Sequence, residues 1–191
     1  MKLSHEVLEG RHIRLEPLSE GHREPMRLAL DGDEAAWSVM VSVAFGPHFD
    51  AWWERVIAGP SLNYAVIRRS DGEVVGVTGY HEISVPHSRL EIGGTYYRPE
   101  ARGGAINPET KRLMLAHAFD SGAMRVEFLT DAINDRSRAA LTKLGAIEEG
   151  VLRRHKITWT GRARHTVMFS ILAEEWPEAR ANLDQRLAAF T

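Results

Sequence analysis

The sequence contains no cysteine among its 191 residues. Disulfide bonds, a thiolate nucleophile and cysteine-ligated metal are therefore excluded. No run of residues approaches the ~20 apolar positions that a membrane-spanning helix needs. The segment Met1 to Glu6 also lacks the apolar core of a secretory signal. We therefore expect a cytoplasmic protein without a membrane partner.

An excess of charge of one sign is also missing, because 24 Lys and Arg residues oppose 26 Asp and Glu residues. The net charge of −2 gives no global attraction to nucleic acid, so we expect no nucleic-acid partner. The nine histidines are scattered without the spacing of a metal site. Neither a Walker sequence nor a G-x-S-x-G elbow is present. We expect no bound metal.

What the sequence does have is the pattern of one α/β domain, which we expect to span residues 1–191. A chain of this length, with 43% hydrophobic residues, can bury a full core. Apolar alternation and turn signals predict strands over 12–16, 64–69, 73–80, 89–98, 125–131, 151–158 and 165–172. Helices are predicted over 108–121, 134–144 and 173–189. This mixture favours one mixed sheet with helices on its faces.

The segment from Arg102 to Lys111 predicts a glycine-containing loop that runs directly into a helix. Asn107 is predicted as the N-cap, followed by a proline at the first helical position. Gly103 and Gly104 let the backbone approach a ligand closely. Free amides and the helix dipole attract anions at such a point. The segment therefore indicates either a phosphate-bearing ligand or an ordinary strand-to-helix turn.

Two further residues are candidates for acid–base chemistry. Glu91 lies on a predicted strand just before the adjacent glycines Gly93 and Gly94. A carboxylate on a central strand is costly unless it is paired or functional, so Glu91 is either a general base or a solvated residue of an edge strand. Ser137 lies in the first turn of a helix that Asn134 caps. Its hydroxyl is either functional or an ordinary surface group.

Taken in order, these features resemble the GCN5-related N-acetyltransferase (GNAT) family. The order is a strand with Glu91, an Arg-Gly-Gly turn, a helix, a strand, an Asn-x-x-Ser helix start, a Leu-Gly end and a two-strand hairpin. Residues 134–137, 143–146 and 149–153 are most similar to the branch of RimJ/RimL ribosomal-protein N-acetyltransferases. The resemblance runs from residue 10 to residue 176. It implies a single GNAT-like α/β (α+β) domain, with a central mixed, mostly antiparallel twisted sheet of about seven strands and helices on both faces.

The resemblance also implies roles for particular residues. The acetyl-CoA-binding residues would be Arg102, Gly103, Gly104, Ala105, Asn107, Asn134 and Lys143. The family's turn is Arg or Gln, two residues, Gly, one residue, then Gly or Ala, and only Arg102 matches it, because Ala105 and Asn107 occupy the other two positions. Glu91 resembles the family's base. Ser137 resembles the group that protonates the leaving thiolate in the RimL branch, and Leu141 replaces the tyrosine acid of many other members.

The implied activity is acetyl-CoA-dependent, metal-free N-acetylation of a primary amine. The acceptor partner would be a protein N-terminal amine or a small-molecule amine, and a homodimer is a candidate assembly. The alternative is a non-catalytic acyl-CoA-binding or regulatory module on the same fold. The altered turn at Ala105 and Asn107 favours that alternative.

Overall fold

The computed structural model describes residues 1–190, in which eight strands form one sheet. The strands are β1 (Leu8–Glu9), β2 (Ile13–Pro17), β3 (Leu62–Arg68), β4 (Val74–Ser84), β5 (Arg89–Tyr97), β6 (Arg125–Asp131), β7 (Ile147–Ile157) and β8 (Ala163–Leu172). Their order across the sheet is β1-β2-β3-β4-β5-β6-β8-β7. Neighbours are antiparallel except β5 and β6, which run parallel. The predicted mixed, mostly antiparallel sheet is confirmed, and the short β1 is the strand that the sequence did not indicate.

Helices cover both faces of the sheet, as predicted. They are α1 (Arg23–Leu30), α2 (Glu34–Trp37), α3 (Phe49–Ala58), α4 (Ile106–Asp120), α5 (Asp135–Leu144) and α6 (Trp176–Leu187). Alternation along the strands supplies two apolar cores. On β3, for example, Val66 belongs to the core that also contains residues of α4, α5 and α6, whereas Ala65 and Ile67 belong to the core that contains residues of α1, α2 and α3. No helix in residues 1–190 is both long and apolar enough to cross a membrane.

Helix α5 has the caps that the sequence predicts. The Asn134 side chain accepts a hydrogen bond from the Ser137 amide at 3.1 Å, which satisfies one free amide of the first turn. Gly145 ends the helix with φ of 96°, a left-handed conformation that favours glycine. These local signals place the start of α5 directly after β6.

Helix α4 begins earlier than predicted, and the prediction that Asn107 caps it was wrong. The N-cap is Ala105, whose backbone is already helical, and its carbonyl accepts from the Glu109 amide at 2.9 Å. Asn107 is therefore the second residue of the helix and makes no cap. Pro108 follows at the third position, where it removes no helical hydrogen bond, because first-turn amides have no partner within the helix.

Glu109 ties the start of α4 to the N-terminal strand. Its carboxylate accepts hydrogen bonds from the backbone amides of Arg11, His12 and Ile13 at 2.7–2.8 Å, and the residue is 6% exposed. A Cβ at Gly10 would stand 2.6 Å from the Glu109 carboxyl carbon, so this approach requires glycine. The contact fixes the first turn of α4 against the end of the sheet where β2 begins.

Strands β5 and β6 pair over only three residues each, 89–91 with 125–127. Beyond them, no backbone pairing in the described chain joins 93–97 to 128–131, and we call this opening the notch. On its other edge β5 carries a bulge, because Gly94 and Thr95 together oppose the single residue Thr78 of β4. Gly94 has φ of 59°, which suits glycine at a bulge. The sheet is therefore interrupted on both sides of β5 at one level.

Candidate active site

Three acidic or basic side chains stand in a row across the sheet beside the bulge. His81 of β4, Glu91 of β5 and Glu127 of β6 are register partners, so their side chains share one face, the face covered elsewhere by α1, α2 and α3. We call this face, between β4 and the β7–β8 hairpin, the groove. The adjacent glycines make room for the row. A Cβ at Gly93 would stand 2.5 Å from Glu91 Oε1, and one at Gly94 would stand 2.9 Å from His81 Nε2.

Glu91 is a buried carboxylate without an internal partner. It lies on a central strand and is 8% exposed, so the interpretation as a solvated residue of an edge strand was wrong. No residue in the range 1–190 donates a hydrogen bond to it or forms an ion pair with it. Burial raises its pKa, an effect opposed by the positive charge of Lys156. A carboxylate in this state can accept a proton from a bound amine.

His81 is a second proton acceptor in the row. Its Nδ1 lies 2.9 Å from Ser61 Oγ, and its Nε2 is buried without a hydrogen-bond partner in residues 1–190. Burial lowers its pKa, which favours the neutral imidazole at pH 7. Sequence reasoning treated His81 as one of several scattered histidines, because only the pairing of β4 with β5 brings it to Glu91.

Lys111 of α4 reaches the notch from the opposite side of the sheet. Its Nζ donates to Thr95 Oγ1 in the bulge at 3.0 Å and lies 5.8 Å from the centre of the Phe128 ring. The residue is 8% exposed, and burial lowers its pKa to about 7. A buried lysine near its pKa at neutral pH can donate or accept a proton. No pattern in the sequence indicates this role, since an apolar environment for one helical lysine depends on how α4 packs.

The predicted anion turn lies where β5 ends and α4 begins. Arg102 Nε donates to the Tyr97 carbonyl at 2.7 Å, and its guanidinium also pairs with Asp33 and lies 5.1 Å from the Tyr96 ring centre. Around Gly103 and Gly104 the space is open, with no described atom within 4 Å of a Cβ at either position. A cleft of about 550 Å³ borders the turn and includes three further arginines, Arg11, Arg68 and Arg69.

The start of α5 lies at the same end of the notch, because α4 follows β5 and α5 follows β6. The structure thus brings together two helix starts and the predicted residues Gly103, Gly104, Ala105 and Asn134. The Ser137 hydroxyl also lies there and makes no hydrogen bond within residues 1–190. Lys143 is exposed at the opposite end of α5, ~13 Å away along the helix axis. The structure does not bring Lys143 to the anion turn.

The β7–β8 turn closes one end of the groove. Trp159 Nε1 donates to the Trp37 carbonyl at 2.9 Å, and the Trp159 ring contacts Phe45 edge to face with centres 6.2 Å apart. This contact fixes the hairpin against the segment around α2. At this end of the groove the hairpin and the α2 segment are therefore in direct contact.

Comparison with known families identifies this arrangement. Residues 12–147, most of the chain, match the acetyltransferase (GNAT) domain. The chain belongs to the GNAT family. Its notch between two parallel strands and the bulge beside it therefore lie within a GNAT acetyltransferase domain. A search of curated proteins finds no match.

Solved structures give the same assignment. A candidate acetyltransferase from T. thermophilus is 35% identical, with a TM-score of 0.89 over 98% of this chain and 100% of that one. A GCN5-related N-acetyltransferase from Brucella melitensis is 28% identical, with a TM-score of 0.91 over 98% and 87%. Mycobacterium smegmatis RimJ in complex with CoA-disulfide is 23% identical, with a TM-score of 0.74 over 91% and 88%, and shares the GNAT fold.

Proposed function

We propose that this protein is an acetyl-CoA-dependent N-acetyltransferase of primary amines in the cytoplasm. The observation that carries the proposal is Glu91, a buried and unpartnered carboxylate beside the bulged strand of a GNAT domain. GNAT acetyltransferases act on amine acceptors, and an amine needs a base that can take its proton. The acceptor classes are a protein N-terminal amine, as in the RimJ/RimL branch, and a small-molecule amine.

The residues at the notch fit acetyl-CoA. The anionic end of the co-substrate would lie against the open turn at Gly103 and Gly104, with amides of Ala105 and Asn107 and the charge of Arg102 nearby. Asn134 would hold the pantetheine arm on the other side of the notch. Because Asn107 is not a cap, it would contribute to anion binding only through its position in the first turn of α4. No side chain caps this helix, so the backbone amides of its first turn stay available to the anion.

When bound, acetyl-CoA supplies the thioester carbon that the amine attacks and a thiolate leaving group. Glu91 accepts the amine proton, directly or through water, and its raised pKa brings its basicity closer to neutral pH. His81 Nε2 is the second acceptor within the same row. The bulge leaves backbone amides of β5 outside the ladder, where they can polarise a carbonyl.

The departing thiolate requires a proton, and two residues can supply it. Ser137 is the group that the RimL resemblance indicates. Lys111 is the stronger acid, because burial lowers its pKa to about 7, below the ~8.5 of an ordinary thiol. Its hydrogen bond to Thr95 holds it at the bulge. We therefore propose Lys111 as the main proton donor and Ser137 as an auxiliary one.

The test is release of free thiol from acetyl-CoA with a panel of peptides and small amines. We expect turnover with at least one amine, and its loss in Glu91→Gln. Thermal melts should also show stabilisation by CoA of about 2.7 kcal/mol at 100 times its Kd. Stabilisation without transfer to any amine would instead support a non-catalytic acyl-CoA-binding module.

A further inference from the structure

Arg164 of β8 lies in the groove and faces the same side as Glu91. Side chains of Arg164, Thr166 and Ser170 share one face of β8, since they are two or four residues apart. Ser170 is the register partner of Glu127, which is the partner of Glu91. Because side chains alternate along each strand, Arg164 and Glu91 lie on the same face of the sheet. On the outer strand, Lys156 of β7 stands opposite Arg164.

Arg164 is buried without a partner. It is 7% exposed, its Nε lacks a hydrogen bond, and none of its atoms pairs with an acid in residues 1–190. The Thr166 hydroxyl beside it is also buried without a partner. Burial lowers the pKa of Arg164, but an arginine stays charged near neutral pH. An unpaired buried charge is strongly unfavourable unless a ligand compensates it.

The acids on this face form no ion pair with Arg164 within residues 1–190. Asp131 pairs with Arg162 and accepts from the Ile133 amide at 3.3 Å. Glu127 is bound by Arg89 at 3.1 Å and by Arg125 at 2.8 Å. Glu91 interacts with Arg164 through space, each opposing the pKa shift that burial causes in the other, without forming an ion pair. The groove therefore contains one carboxylate, Glu91, and one guanidinium, Arg164, that form no ion pair with each other or with another described residue.

We infer that Arg164 binds a carboxylate of the acceptor, so that the preferred substrate is a small amine carrying a carboxylate, as an amino acid does. This inference rests on the proposed function. The amine would face Glu91 while the carboxylate accepts hydrogen bonds from the guanidinium, whose fork matches two oxygens. A phosphate fits less well, because its second negative charge would lie near Glu91, which has no ion-pair partner among the described residues. A polyamine would bring a cation to Arg164.

The experiment compares amines that differ only by a carboxylate, tyramine with tyrosine and agmatine with arginine. For the wild type, kcat/KM from thiol release should be roughly 10- to 100-fold higher for the carboxylated member, the range for hydrogen bonds to a charged group. Arg164→Gln should raise KM for tyrosine by a similar factor and change tyramine far less. Arg164→Lys keeps the charge but not the fork and should fall between. Arg153→Gln, an exposed arginine on β7, is the matched control.

Equal kcat/KM for both members of each pair in the wild type would overturn the inference. A preference that survives Arg164→Gln would also overturn it, and so would phosphoethanolamine outperforming the carboxylates. Melting temperatures and tyramine turnover show whether Arg164→Gln is folded, and Arg164→Lys decides the question if it is not. A protein that acetyl-CoA stabilises but that transfers to no amine would overturn the proposed function itself.

Discussion

Glu91 and Glu127 stand side by side at paired positions of β5 and β6, and each is 8% exposed. Glu127 receives two arginines, and one of them, Arg125, continues to Glu149 on β7. No described residue donates to Glu91. Two equally buried carboxylates therefore differ in whether direct ion pairs compensate their charge, because Lys156 and Arg164 act on Glu91 only through space. The compensated one links strands, and the uncompensated one is left for a proton.

The sharpest test of this comparison is the pair Glu91→Gln and Glu127→Gln. Glu91→Gln should lower kcat by ~10²–10⁴-fold, because the proposed base is lost without a change in size. It should leave the melting temperature unchanged or higher, since an unpaired buried charge disappears. Glu127→Gln should lose stability and keep most of its rate. A full rate in Glu91→Gln, measured by thiol release at saturating substrates, would move the base to His81.

Lys111→Met extends the comparison to the opposite side of the notch. It keeps the approximate length of the side chain and removes the proposed proton donor, so kcat should fall by ~10²-fold. Ser137→Ala, measured in the same assay, should reduce kcat less. If Ser137→Ala had the larger effect, the thiolate would take its proton from α5 and not from α4.

The stability of Lys111→Met should also depend on pH. Burial lowers the pKa of Lys111 to about 7, whereas the unfolded chain holds that proton up to about pH 10. Across that interval the unfolded state binds more protons, so the wild type gains stability as pH rises. The advantage of Lys111→Met in melting temperature should therefore shrink from about pH 7 to about pH 10. An advantage that is constant over this range would contradict the lowered pKa of Lys111 in the folded protein.

Arg125→Met breaks the compensated side of the comparison. It leaves Glu127 with one arginine and Glu149 with none, and should lower the free energy of unfolding by about 1–3 kcal/mol. The hydrogen bond from Arg125 lowers the pKa of Glu149 to about 2. The wild type should thus lose this stabilisation as pH falls from about 4.5 to about 2, and the variant should show less of that loss. Denaturant titrations across this pH range measure both effects.

The smallest expected effect is a difference in stability between alanine variants of the two asparagines at the helix starts. Asn134→Ala removes an observed cap and should cost about 1 kcal/mol. Asn107→Ala should stay within about 0.5 kcal/mol, because its side chain caps nothing. Thermal melts of the two variants side by side give the difference. Equal losses would mean that Asn107 stabilises α4 in a way that the hydrogen bonds do not show.

Local signals in the sequence predicted the helix α5, its cap at Asn134 and the strand that carries Glu91, but not that this strand is central. The same kind of signal failed at Asn107, because the start of α4 depends on Glu109 binding a strand about a hundred residues away. His81, Lys111 and Arg164 were not predicted as site residues. Strand register brings His81 and Arg164 to the groove, and helix packing buries Lys111. Patterns among neighbouring residues of the sequence predict neither register nor packing. Adjacent residues in the sequence therefore predict only part of the site, and tertiary packing places the rest.

The bonds between Glu109 and the amides of Arg11, His12 and Ile13 connect the proposed acetyl-CoA site to the N-terminal segment. Glu109 is a negative charge in the first turn of the helix that faces the proposed anion site. While its oxygens accept from those three amides, backbone donors offset part of that charge. A shortened chain that lacks residues 1–13 would free the carboxylate at the mouth of the anion site. Removal of residues 1–13 would then weaken the proposed binding of acetyl-CoA, and it would also remove β1.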